Sequence, residues 1–197
     1  MKALITFLLL AAFTLTAAAQ PAPGAKPAAP GGTGAPPAAA KPKPYSAGDT
    51  RIYLIIADGI QFQLNMSLRL RGKCKDGPAD LLALAGKISK DFTALWTPGV
   101  DAAMQHGVEG KKIPQDMSKT DKANLNKLGT IKDDKKWQLA FFDLYAKESK
   151  KNAHEAENAA KAAQDADLKA FAEKAVALLK SEAEEIEAKF KEMKTRK

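Results

Sequence analysis

Toward the C-terminus, Leu168, Ala172, Ala175, Leu179, Ala183, Ile186, Phe190 and Met193 recur at spacings of three and four. That rhythm lays one continuous apolar stripe along one face of a helix, the seam of a helix that lies in a bundle. Asp165 or Asp167 stands where a cap is needed, and Lys189, Lys191, Lys194 and Lys197 crowd the far end, where they complement the negative pole of the helix dipole. A chain that ends this way needs other helices to cover the stripe.

Three further segments answer that need. Residues 133–164 carry Trp137, Phe141, Leu144, Ala153, Ala156, Ala160 and Ala163, with Asp133 and Asp134 at the N-terminal pole. Bulky rings in the first half and alanines in the second predict closer helix approach at the alanine end. The turn at Gln164–Asp167 is short enough to make its two helices antiparallel neighbours. Another helix is expected from Gly77-Pro78, striped by Leu81, Ala85, Ile88, Phe92 and Leu95. Pro98-Gly99 is expected to kink or interrupt it before Val100, Ala103 and Met104 resume the pattern. The run SKTD (118–121) predicts the cap of a short helix ending near Leu128-Gly129.

The stretch IQFQLNMSLRLR (60–71) alternates apolar and polar residues, the signature of a half-buried strand. No second run of period two exists to pair with it, and a lone strand would leave its backbone groups unsatisfied. Read as helix, Ile52, Ile56, Ile60, Leu64 and Leu68 form one ridge and Phe62, Met66 and Leu70 another. Residues 50–72 are therefore read as a helix that is apolar over a wide arc. The fold class that follows is all-α: an antiparallel four-helix bundle, with a short extra helix between the second and third long ones.

The N-terminal end sets the expected compartment. Lys2, the apolar run Leu4–Leu15 and the small residues Ala17-Ala18-Ala19 make residues 1–19 a secretory signal peptide, cleaved after Ala19. An uncleaved membrane anchor is the competing reading. Residues 20–47, rich in Pro, Ala and Gly, read as a disordered spacer whose Gln20–Pro44 part spans about 75 Å when extended. Residues 48–194 form the bundle domain. The expected location is periplasmic or secreted, with no stable membrane insertion after cleavage. With 31 basic and 23 acidic residues the chain carries +8, or +7 once Lys2 is removed, dispersed along helical faces. Basic residues interleaved with aromatics are absent, which excludes a nucleic-acid reader. Cys74 is the sole cysteine, so no intramolecular disulfide can form, and it reads as a buried thiol, with an intermolecular bridge as the alternative.

Three segments, taken in order, resemble a known family. They are IPQDMSKTDKANLNKLGT (113–130), WQLAFFDLYAKESKKNAHEAENAA and DADLKAFAEKAVALLKSEAEEIEA, with LAGKISKDFTA before them. The chain resembles, from about Gly48 to Phe190, the exported bacterial family called domain of unknown function 4142, which is grouped with ferritin-like bundles. The resemblance implies three histidines: one after an aspartate near the end of the second helix, one in the third and one in the fourth. Here those places hold Asp91-Phe92, Ser149 and Glu182.

Ferritin-like metal chemistry uses carboxylates from two helices and Glu-x-x-His pairs from two others. No Glu-x-x-His occurs in this sequence. Glu182 is the one candidate metal ligand, against a reading in which it reaches water or pairs with a lysine. His106 and His154 read as surface residues. GGTG (31–34) lies in the spacer, without the strand and helix of a phosphate loop. Asn65-Met66-Ser67 matches a glycosylation sequon inside a buried helix. No catalytic residue and no cofactor is expected. The expected function is non-catalytic, binding an envelope protein or serving a structural role. A metal-binding bundle and a lysine-driven binder of anionic envelope polymers are the alternatives.

Overall fold

The computed structural model describes residues 42–74 and 78–195. The expected signal peptide with its expected cleavage site at Ala19, the segment read as a spacer up to residue 41, residues 75–77 and the last two residues lie outside the described residues. The elements are α1 (Ala47–Lys73), α2 (Ala79–Gln105), a 3₁₀ turn at Gly110–Lys112, α3 (Lys119–Leu128), α4 (Asp134–Ala160) and α5 (Ala166–Thr195). All the regular structure among the described residues is helical, as the stripes require.

Side-chain pairings fix the helix directions. Lys150 pairs with Glu187 and Lys180 with Glu157, so α4 and α5 run antiparallel. Lys189 pairs with Asp80 and Lys87 with Glu182 and Glu185, so α2 and α5 are antiparallel as well. Gln63 meets Ser149 while Lys73 meets Asp134, which sets α1 against α4. The helices joined by short connections, α1 with α2 and α4 with α5, therefore oppose one another. The 106–133 segment, carrying α3, runs back along the bundle so that α2 and α4 point the same way. A single long crossover of this kind is the ferritin-like arrangement.

Local chemistry explains the helix ends. Ser46 Oγ accepts from the Asp49 N–H at 3.0 Å and donates to Asp49 Oδ2 at 2.9 Å, closing the first turn of α1. Asp49 Oδ1 also accepts from the Gln164 N–H at 2.9 Å, which pins the α4–α5 turn to the start of α1. That bond is the main reason the Asp49 carboxyl sits below its ordinary pKa. Ser118 caps α3 in the same manner, with Asp121 as partner. Asp133 caps α4, and Asp165 accepts from the N–H groups of Asp167 and Leu168 to cap α5.

The core is shared by Ile56, Ile60 and Met66 of α1, Ile88 and Phe92 of α2, Phe141 and Phe142 of α4, and Leu168, Leu179 and Ile186 of α5. Burying each such side chain contributes roughly 1.5–3 kcal/mol. The stripe of α5 is buried as its spacing requires, with Phe190 at the edge. On α4 the buried face is wider than the sequence stripe. It includes Phe142, Tyr145, Ala146 and Ser149, because α1, α3 and α5 all pack on this helix.

Pro98-Gly99, expected to kink or interrupt α2, does not interrupt it. The helix continues to Gln105, losing at Pro98 only the one backbone donor that proline lacks. It ends in a Schellman motif: Gly107, at φ 83°, donates to Met104 O, and Val108 donates to Ala103 O. Gly99 is buried because the Phe171 ring of α5 lies on its backbone; a Cβ there would stand 2.4 Å from that ring. Met104, placed on the resumed stripe, is 54% exposed, and Ala103 takes the buried position.

Candidate functional site

The polar interior is built from α1, α4 and α5. Gln63 projects from α1, and its Nε2 donates to Ser149 Oγ of α4 at 2.9 Å, with both residues fully buried. Tyr145, one turn before Ser149, makes a long hydrogen bond of 3.5 Å to the Gln63 carbonyl. Its phenol pKa is raised far above the ordinary range by burial and by the nearby charge of Glu182. Glu182 of α5 is buried, and its Oε1 accepts from Lys87 Nζ of α2. Lys87 also donates to Glu185 at 2.8 Å and lies 3.6 Å from Asp91.

The charges in this pair respond to opposing effects. Burial pushes the Glu182 pKa up more strongly than Lys87 pulls it down, and Glu185 and Asp91 add to the rise. Burial works against the charge on Lys87, but its bonds to Glu182 and Glu185 prevail and raise its pKa. Among the described residues, Glu182 Oε2 and Gln63 Oε1 have no hydrogen-bond donor. Such buried orphans are costly, and they mark where the interior is least settled.

The places where the resemblance implies histidines thus hold a buried phenyl ring (Phe92), a hydroxyl bonded to an amide (Ser149) and a carboxylate bonded to an ammonium (Glu182). This donor set does not fit a ferritin-like metal pair. It offers one carboxylate, and that group is already neutralised by a fixed cation.

The expectation that His106 lies on the surface is overturned, since it is 5% exposed. It caps the C-terminus of α2, stacks on Tyr45 with ring centroids 4.2 Å apart, and accepts the Tyr45 N–H at its carbonyl. Its Nδ1 is 2.7 Å from the Lys43 carbonyl oxygen, its Nε2 is 3.4 Å from Asp167 Oδ2, and Asp165 Oδ2 lies 3.9 Å from Nδ1. Burial, then the charges of Asp165, Asp167 and Asp49, push the Tyr45 phenol up to about 12. Sequence carried no sign of this cluster, because its members come from three distant segments and none lies on a stripe. His154, by contrast, is exposed as expected, and its Nε2 lies 2.9 Å from Asn158 Nδ2.

Cys74 is a free, buried thiol. Burial and the Asp134 carboxylate raise its pKa against the weaker pull of Lys73, which leaves it a poor nucleophile. Asn65 bonds Gln61 and Ser67 bonds the Leu64 carbonyl, both within α1, so the sequon lies in regular helix. Outside the core, a cleft of about 500 Å³ opens beside the end of α1, with Leu68, Arg69, Leu125, Ile131 and Trp137 in its lining. Leu68 is 57% exposed there. Among the described residues, no helix is long and apolar enough to cross a membrane.

No curated protein and no solved structure matches the chain. Residues 34–188, which include α1, α2, α4 and most of α5, match a family described as a domain of unknown function. The chain belongs to the DUF4142 family.

Proposed function

We propose that this chain is an exported protein of the cell envelope, periplasmic or secreted, whose bundle works by binding or structural support rather than by catalysis. The observation that carries the reading is the state of the interior. Ser149 is bonded to Gln63, and Glu182 is neutralised by Lys87, at the places where catalytic ligands would have to converge. A divalent ion at Glu182 would first have to displace an ammonium group that two further carboxylates hold in place. The partner that fits best is an envelope protein. The cleft beside α1 combines exposed apolar surface with Arg69 and Lys73. An anionic polymer is the poorer candidate, because much of the lysine surplus is matched locally, as in Lys147–Asp143 at 2.7 Å and Lys180–Glu157 at 2.9 Å.

The test is ferrous-iron oxidation in air by the purified chain. The expected rate equals that of buffer alone, with Glu182→Gln no different. Oxidation faster than buffer that Glu182→Gln abolishes would overturn the non-catalytic reading.

A further inference from the structure

The geometry points to a divalent-cation site, suited to zinc, formed by His106, Asp165 and Asp167 where α2 ends and α5 begins. A carbonyl oxygen can only accept, so the 2.7 Å contact with Lys43 O places the imidazole proton on Nδ1. A metal ion would therefore bind at Nε2, which faces the Asp167 carboxylate at 3.4 Å. The gap between these two atoms is one that a cation, a proton on Nε2 or a metal ion, would bridge. Among the described residues no donor reaches Nε2. Each of the three residues offers a ligand atom within 4.8 Å of the others.

The surroundings resemble those of a prepared site. A ligating histidine usually donates its other ring N–H to a carbonyl or carboxylate, which fixes the tautomer and the ring plane. Lys43 supplies that contact, and Tyr45 holds the ring flat against its own. Asp165 is fixed through Oδ1, which accepts from the Asp167 and Leu168 N–H groups at 3.0 Å each, so Oδ2 remains for a metal. Asp167 is 77% exposed and free to swing in as the third ligand. Zinc bonds to nitrogen and oxygen of about 2.0–2.1 Å at tetrahedral angles put neighbouring ligand atoms about 3.4 Å apart. The separation of 3.4 Å between Nε2 and the Asp167 Oδ2 already matches that edge, while the Asp165 ligand atom, within 4.8 Å of the other two, must move closer on binding. A neutral imidazole and two carboxylates balance the ion's charge, and water takes the fourth position. A bound ion would tie the end of α2 to the start of α5 and, through Lys43 and Tyr45, to the point where the chain enters the bundle. The site does not depend on the interior being non-catalytic, since it uses none of the same residues.

The test is a zinc titration of the untagged chain near neutral pH, in competition with a chromogenic chelator. One zinc per chain is expected, with affinity falling about 100-fold in His106→Gln and about 10-fold in Asp167→Asn. His154→Gln and Cys74→Ala should match wild type. Zinc should also raise the unfolding temperature of wild type but barely that of Asp167→Asn, an exposed change that leaves the fold intact. Absence of saturable binding, or binding that survives His106→Gln, would overturn the site. So would nitrogen NMR showing both ring nitrogens of His106 protonated near pH 7 and unmoved by zinc, for the cluster would then be an imidazolium ion pair.

Discussion

Replacing Lys87 by methionine removes the cation that faces Glu182 and leaves the aliphatic stem in place. The Glu182 side chain is 1% exposed and that of Lys87 is 46% exposed, so the carboxylate cannot turn to water when its partner is lost. Breaking a fully buried ion pair costs about 3–5 kcal/mol. Half of Lys87 already lies in solvent, which screens the interaction and reduces the expected loss to roughly 2–3 kcal/mol near neutral pH. In a chain of this size that lowers the unfolding temperature by about 4–12 °C.

The loss should depend on pH in a direction that the burial fixes. In the folded chain Glu182 has a pKa above its ordinary 4.5, chiefly from desolvation, and without Lys87 it rises further. A carboxyl whose folded pKa exceeds its unfolded value binds more protons when folded. Its stabilising contribution is complete below the unfolded pKa and is lost as pH rises through the folded one. Lys87→Met should therefore approach wild-type stability at about pH 5 and fall away toward pH 8. Urea unfolding followed by circular dichroism across that range measures it. Lys87→Met/Glu182→Leu should recover most of the loss, because a packed apolar pair needs no counterion. A cost that is the same at both ends of the range, or no recovery in the double variant, would refute the reasoning and assign the effect to lost packing.

Ser149→Ala removes the acceptor of a buried amide, so it should cost about 1–3 kcal/mol in urea unfolding; Ser149→Thr, which keeps the hydroxyl, should cost less. Two helical glycines should respond oppositely to alanine. At Gly59 a Cβ meets only ordinary contacts, the nearest at 3.5 Å, so Gly59→Ala should raise stability by about 0.5–1 kcal/mol. At Gly99 the new carbon meets Phe171 at 2.4 Å, so Gly99→Ala should lower stability by about 1–3 kcal/mol. Cys74 should react with a thiol reagent only as fast as the native chain opens, and at full speed in denaturant; rapid labelling of the native chain would contradict its burial.

The long helices were legible because each carries its own periodic signal. The α5 stripe, the Ser118 cap and the Asp133 cap are local facts, resolved within a few residues of the chain. The continuity of α2 through Pro98 was not legible. Proline argues locally for a break, whereas the packing of Phe171 on Gly99 comes from another helix. The burial of His106 is hidden from the sequence for the same reason. Its Lys43 contact is 63 residues away and its aspartates come from the α4–α5 turn, so nothing near it in sequence reports its burial.

The alternating run at 60–71 shows how far this reasoning extends. A strand would explain its period, yet α1 is helical throughout and is packed by α2, α4 and α5. Enclosed on so many sides, the helix buries positions that a simple amphipathic stripe would leave in water, including Gln61, Gln63 and Ser67. The polar members of the run are accommodated by two different means. Asn65 and Ser67 bond carbonyls within their own helix, which stabilises the helix and implies nothing about function. Gln63 reaches Ser149, 86 residues away, and one of its acceptors stays unmatched. A buried polar group satisfied at home is a solution to folding. A buried polar group satisfied across helices helps to fix which helices meet and in what register. Alternation alone could not separate the two kinds, because both place a polar residue at every second position. The interior pair of Gln63 and Ser149 therefore helps to specify the bundle, and the proposed binding is to be tested first at the cleft beside α1 and at the His106 end.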